Sequence, residues 1–218
     1  MKERRIIFDT ETTGIGTGHR VIEIGAVEVI NGKKTGNIFH KQLNPEREVD
    51  EGATKVHGKT YAMLKDKPLF KDVYEEFLEF IAESELVAHN APFDINFINY
   101  ELGLVGAAGM RNEVTDTLVL ARKYFPGEPA SLDALCKKYG IDNSSRTFHG
   151  ALLDADLLTE VFVIMIEEIA KKGVFDYRQK KDERVHIIKR SANFGVRKFV
   201  LSEEEMAKHK EFLKSIGF

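Results

Sequence analysis

The sequence has no tryptophan and a single cysteine in 218 residues. One cysteine cannot form an internal disulfide and cannot build a thiolate zinc cluster, which excludes a disulfide-stapled secreted scaffold and a structural zinc site. Cys136 falls in an apolar-periodic segment and reads as a small buried hydrophobe. No run approaches ~18 uninterrupted apolar residues, so no membrane span is expected. The start, Met-Lys-Glu-Arg-Arg, is followed only by Ile6, Ile7 and Phe8 before Asp9, too little apolar sequence for a signal peptide. A cytoplasmic, reduced protein is expected. The chain also lacks internal repeats and low-complexity tracts.

What is present fits a soluble globular protein: 43% hydrophobic and 31% charged residues. The net charge of −3 conceals an asymmetry. Residues 171–218 hold 13 Lys and Arg against 7 Asp and Glu, so an acidic body precedes a basic tail. Such acids are either a solvated face or, in part, metal ligands.

The first strand frames that choice. Ile6-Ile7-Phe8 predicts a short buried strand running into Asp9-Thr10-Glu11. Strand side chains alternate faces, so Asp9 and Glu11 share one, at or just beyond the strand's end. Two neighbouring carboxylates repel unless positive charge lies between them. The stretch alone admits two readings: a solvated strand end, or half of a metal site.

A Gly- and Thr-rich loop follows, without the Gly-Lys-Ser/Thr ending of a phosphate-binding loop. Val21–Ile30 predicts a long strand, Asn31-Gly32 a hairpin turn, and a third strand runs to about Leu43. Residues 44–70 read as irregular, with His57 a surface loop residue. A helix is expected over about 71–83 and a short strand over 85–88. The latter ends in His89-Asn90-Ala91-Pro92-Phe93-Asp94, where Pro92 opens a helix and Asp94 falls in its first turn. Ser131 and Gly140 bracket another helix. A final long helix runs to about Ala170, with Leu153, Leu157, Val161 and Ile164 as its apolar stripe. His149 and Asp154 converge only if His149 lies in the loop before that helix, because five helical positions differ by about 140°. Residues 1–172 are read as one domain, 173–184 as a linker and 185–218 as a terminal segment, in which Ser202-Glu203-Glu204-Glu205 resembles a helix start.

Taken together, the acids form a pattern. Asp9 and Glu11 end one strand, Asp94 follows another, and Asp154 opens the last long helix with His149 upstream. Carboxylates gathered without cysteines suit hard ions such as Mg²⁺ or Mn²⁺. Two such ions can stabilise both the attacking and the leaving oxygen of a phosphoryl displacement, and a histidine can take a proton from water.

D-x-E, H-N-x-x-F-D and H-x-x-x-x-D, in this order, resemble the DEDDh 3′–5′ exonucleases. Phe8–Gly14, Ile22–Glu28, Val56-His57-Gly58, Ser131–Cys136 and His149–Ala155 extend the resemblance to the proofreading branch that serves bacterial DNA polymerase III. It covers about residues 5–170 closely. The resemblance implies an α/β fold: a ribonuclease H-like mixed β-sheet flanked by α-helices, with a C-terminal tail. It implies Asp9, Glu11, Asp94 and Asp154 as ligands of two Mg²⁺ or Mn²⁺ ions and His149 as general base. It places Thr10, Glu11, Thr12, His57, His89, Asn90 and Phe93 at the substrate. The implied reaction removes 5′-mononucleotides from a single-stranded or frayed DNA 3′ end. The implied partner is a replicative DNA polymerase catalytic subunit, bound through residues 185–218; the other readings of that segment are a tail packed on its own domain or a basic arm on DNA. No Gln-x-x-Leu-Phe motif is found, which speaks against direct sliding-clamp contact. Two alternatives to a DNA proofreader stand beside it: an RNA-trimming enzyme using the same five residues, and a non-catalytic binding subunit, which would be expected to have lost one of them.

Overall fold

The structure is a computed structural model describing residues 3–144 and 146–172. The expected linker over 173–184 and the terminal segment over 185–218, with its helix start near Ser202, lie outside the described residues.

The strands are β1 (Arg4–Thr12), β2 (Val21–Ile30), β3 (Lys33–Gln42), β4 (Glu85–Ala88) and β5 (Val114–Asp116). They form one mixed sheet in the order β3-β2-β1-β4-β5. β1, β2 and β3 are antiparallel neighbours, while β4 runs parallel to both β1 and β5. Asn31 and Gly32 both adopt positive φ, 52° and 75°, as a tight hairpin turn matched to strand twist requires.

Helices cover both faces. α3 (Phe70–Ile81) and α4 (Pro92–Leu104) pack Phe77, Ile81, Ile98 and Leu102 against Ile6, Phe8, Ile24 and Leu86. On the other face, α6 (Leu132–Tyr139) and α7 (Ala151–Lys171) pack Leu135, Leu158, Val161 and Phe162 against Ile7, Val29 and Val87. Central strands covered on both sides read as continuous apolar runs, which accounts for Ile6-Ile7-Phe8. Cys136 is fully buried in the second core, as its apolar setting predicts. The remaining helix on that side is α5 (Thr117–Tyr124), capped by Asp116 through the Leu118 backbone N–H.

Three expectations need correction. Glu11 is the penultimate residue of β1 but Asp9 lies inside it: the strand continues through Thr12, because the ten-residue β2 pairs with it along its whole length. Residues 44–70 are not wholly irregular. They contain α1 (Glu51–His57), stopped by Gly58 in the left-handed conformation at φ 71°, and the single-turn α2 (Tyr61–Leu64). Both are too short to show a helical period. On α7, Leu157 and Val161 of the expected stripe are buried but Ile164 is 38% exposed, and the buried face also takes in Ala151, Ala155, Leu158, Phe162, Met165 and Ile169. Small residues at its start let the helix approach the sheet closely, something a search for large apolar side chains misses.

That approach is close enough to fix Gly25. A Cβ built there would stand 2.1 Å from the Leu152 backbone nitrogen and 2.3 Å from the Ala151 carbonyl carbon. Gly25 is the β2 partner of Asp9. The first turn of α7 therefore rests on the sheet directly beside Asp9. No helix among the described residues is long and apolar enough to cross a membrane.

Candidate active site

Alternation along β1 puts Asp9 and Glu11 on the face of Ile7, toward α7, and Thr10 on the opposite face, toward α4. α7 brings Asp154 in from above in its first turn. Its N-terminus is held by Glu23, whose carboxylate accepts the Ala151 backbone N–H at 3.1 Å and pairs with Lys59 Nζ at 2.9 Å. Asp94 arrives from α4 and is 2% exposed. Its Oδ1 accepts both the Thr10 backbone N–H at 2.9 Å and the Thr10 hydroxyl at 2.7 Å. His149 lies in the loop before α7, with its backbone N–H donated to the Val56 carbonyl at 3.1 Å.

The five residues predicted to be catalytic line one cleft of about 330 Å³. Thr10, His89, Asn90 and Phe93 line it too. Asn90 has positive φ, 63°, unusual outside glycine, and its backbone N–H is donated to Asp116 at 3.1 Å. Phe93 is tilted against Phe97, ring centroids 4.9 Å apart. Thr12 and His57 lie beside the cleft rather than on its wall. His57 is not a surface residue; it is 4% exposed. Its Nδ1 accepts the Lys59 backbone N–H at 3.0 Å, so Nε2 carries the proton and donates to the Thr12 carbonyl at 3.2 Å. The helix α1 that ends at His57 places it there, and that helix has no legible period.

The electrostatics are those of crowded acids. Burial, then Asp94, Glu11 and Asp154, push the Asp9 carboxyl well up. Burial pushes Glu11 up to about 8, with Lys59 opposing and Asp154 adding. Burial pushes Asp94 up to about 7 despite the two hydrogen bonds from Thr10. Burial and the Arg146 guanidinium lower the His149 imidazole, which is therefore neutral near pH 7. Perturbed acids gathered in a cleft mark a functional site. Glu11, His149 and Asp154 each offer a ligand atom within 4.8 Å of the other two. Hard oxygen donors in excess, with depleted counter-charge, fit a divalent ion such as Mg²⁺ or Mn²⁺.

These shifts give a stability prediction. Glu11 and Asp94 hold protons more tightly in the folded state than in the unfolded chain. Between the ordinary carboxylate range and about pH 8 the folded state thus binds more protons, and stability falls as pH rises. In chelator, the melting temperature is expected to drop by about 5 °C or more from about pH 5.5 to about pH 8.5. Excess Mg²⁺ should recover most of the loss at the upper end. Differential scanning calorimetry checks both; a melting temperature that rises with pH in chelator contradicts the charge crowding.

One residue at the centre carries no signal in the sequence. Arg146 donates from Nε to Asp154 Oδ1 at 2.6 Å and from one terminal nitrogen to Asp154 Oδ2 at 2.7 Å. It also reaches Asp133 at 2.8 Å and His149 Nδ1 at 2.9 Å. Part of the positive charge that the acids require therefore comes from the protein itself. A lone arginine in a loop looks like any surface cation, and its spacing of three from His149 matches no regular period. Ser131, Leu132 and Asp133, at the start of α6, also line the cleft. Their motif was legible; their place beside the acids was not.

A family model described as exonuclease matches residues 6–162. Over 225 residues the chain is 48% identical to DNA polymerase III subunit epsilon of Salmonella typhimurium, covering 96% of this chain and 92% of that protein. Among solved structures it resembles exonuclease X in complex with 5′-overhanging duplex DNA, with TM-score 0.61 and 30% identity over 77% of this chain and 92% of the other. The nuclease domain of 3′hExo, a DEDDh family member bound to rAMP, gives TM-score 0.63 over 77% of this chain and 93% of the other. At 16% identity, that likeness shows the fold alone.

Proposed function

We propose, from the premise that this chain belongs to the DEDDh exonuclease family of ribonuclease H-like nucleases, that it is a proofreading 3′–5′ exonuclease of a bacterial replicative polymerase, acting on DNA 3′ ends in the cytoplasm. The observation that carries the proposal is the convergence of Asp9, Glu11, Asp94, Asp154 and His149 on one cleft, with three of the acids held at raised proton affinity.

Asp9, Glu11 and Asp154 would hold two Mg²⁺ or Mn²⁺ ions, with Asp94 closing the site from the α4 side. Ions held there would supply Lewis-acid polarisation of the scissile phosphodiester and a more acidic attacking water. Thr10 steadies Asp94 through its backbone N–H and its hydroxyl, so the α4 carboxylate keeps a fixed direction. The neutral His149 ring, at the mouth of the cleft, accepts the proton that the attacking water gives up. Phe93 and Asn90 line the same cleft and would meet the terminal nucleotide. The cleft needs no base-specific reader, since a mispaired terminus unpairs at lower cost and so enters a single-strand site more often.

The full-length similarity to epsilon subunits extends to a polymerase partner, and residues 185–218 are the segment that would hold the catalytic subunit. Deleting residues 173–218 is expected to preserve hydrolysis of short single strands and to abolish co-purification with that subunit. Retained co-purification would locate the contact on the nuclease domain instead.

The reading is tested with purified full chain and Mg²⁺ on matched DNA, mismatched DNA and RNA 3′ ends. The expected order places single-stranded and mismatched DNA ahead of matched DNA. RNA degraded faster than mismatched DNA would make the protein an RNA-trimming relative.

A further inference from the structure

Arg146 bonds both the carboxylate that the reading above gives to an ion and the imidazole that it gives to the attacking water, and no step described above needs it there. Its guanidinium spans both oxygens of Asp154, at 2.6 and 2.7 Å. Arginine has five N–H donors and no acceptor, so its 2.9 Å contact with His149 Nδ1 can only be a bond that Nδ1 accepts. A neutral imidazole whose Nδ1 is an acceptor carries its proton on Nε2. In this arrangement one ring nitrogen is covered and the other is already protonated, so His149 can take no proton from water. The 3.4 Å approach of His149 Nδ1 to Asp154 Oδ2 is consequently not a hydrogen bond. One side chain thus fills a carboxylate and disables a base together.

Arg146 is also built to stay. Its side chain is 7% exposed, it has a third anchor on Asp133, and its own backbone N–H is donated to the Asn143 carbonyl at 3.0 Å. Planar forks on carboxylates are among the stronger polar contacts in proteins. Because Asp133 starts α6 and lies off the ligand set, an arginine that releases Asp154 keeps a nearby resting place.

We propose that Arg146 is an internal latch: it holds the ion-free site closed by bridging Asp154 and His149, and divalent-ion binding must displace it, which frees the Asp154 oxygens and lets His149 move its proton to Nδ1. This rests on the metal-site reading above. The latch makes the apparent ion affinity weaker than the ligands alone would give. It also offsets part of the repulsion among the acids when no ion is bound. Arg146 acts here as a positioning residue.

The test measures binding of Mn²⁺ alone to chelator-stripped full-length protein by electron paramagnetic resonance, comparing wild type with Arg146→Gln and Arg146→Lys. If the latched form dominates without ions, its removal tightens apparent Mn²⁺ affinity by about tenfold or more. Lysine keeps the charge but cannot fork, so Arg146→Lys should lie clearly on the tightened side of wild type. It also serves as the folding control, checked by thermal melting. Separately, ¹⁵N shifts of the His149 ring should show the Nε2–H form in ion-free wild type and the Nδ1–H form after Mg²⁺ is added. Mn²⁺ affinity that is unchanged or weaker in Arg146→Gln overturns the latch. So does an Arg146→Lys protein indistinguishable from wild type, which would mean that charge alone is felt. Wild type that binds no Mn²⁺ overturns the metal site itself, a different failure.

Discussion

Asp9→Ala is expected to lower hydrolysis of a single-stranded DNA 3′ end by about 10³-fold or more while leaving the protein folded. The reason for the loss is position. Asp9 lies within β1, with Glu11 two residues on along the same face and α7 pressed against its β2 partner, Gly25. It is the acid whose charge is felt together with those of Asp94, Glu11 and Asp154. On the proposed reading its removal would deprive an ion of a ligand, and an ion contributes several kcal/mol to a phosphoryl transition state, which corresponds to that fold-change. The reason for survival is the same crowding. An ion-free protein without Asp9 has one fewer buried repulsive acid, so its melting temperature in chelator at about pH 8 should equal or exceed that of wild type. Steady-state nuclease assays and calorimetry on the same preparation check the two halves. Activity above a few per cent of wild type would remove Asp9 from the ligand set. A collapsed melting temperature would show it to be a structural residue.

His149→Ala is expected to cost about 10² to 10⁴-fold in turnover, the range for losing a positioned general base. The variant should still bind Mn²⁺. That combination separates two roles which geometry leaves adjacent, because a His149 nitrogen lies within 4.8 Å of ligand atoms on Glu11 and Asp154. A ligand role predicts weakened ion binding; a base role predicts intact binding with lost turnover. The pH profile adds a sign. The base works unprotonated, so wild-type rate falls as pH drops through the imidazole pKa. Burial, the larger of the two lowering causes, does not depend on Arg146 and holds that pKa below its ordinary value. The acidic limb should therefore lie below the usual imidazole range in wild type and vanish in His149→Ala. An acidic limb unchanged by the substitution would assign it to the carboxylates.

Much of this site was legible because its parts are local. Two acids on one face of a strand, an acid in the first turn of a helix opened by Pro92, and a histidine just before a helix each follow from short-range rules. Where reading failed, the cause was long-range. β1 was expected to end at its acids, yet pairing with β2 carries it through them. His57 was expected at the surface, yet a two-turn helix buries it under Lys59 and Thr12. The stripe of α7 holds at Leu157 and Val161 but not at Ile164, and Ala151 and Ala155, which no stripe of large side chains includes, seat the helix.

By itself, the sequence determined the candidate groups of the site: which acids, which histidine, and the strand and helix ends that carry them. Periodicity and capping act within a few residues, and a chain displays such relations without being folded. Tertiary structure alone decided how those groups are balanced. Gly25 and the closely seated helix set Asp154 beside Asp9. Glu23, distant in sequence, caps the helix that carries Asp154. Arg146, an unremarkable loop cation, became the charge at the centre of the acids. Electrostatic energy depends on distance through space and on burial, and neither exists until the sheet and its two helical layers have closed.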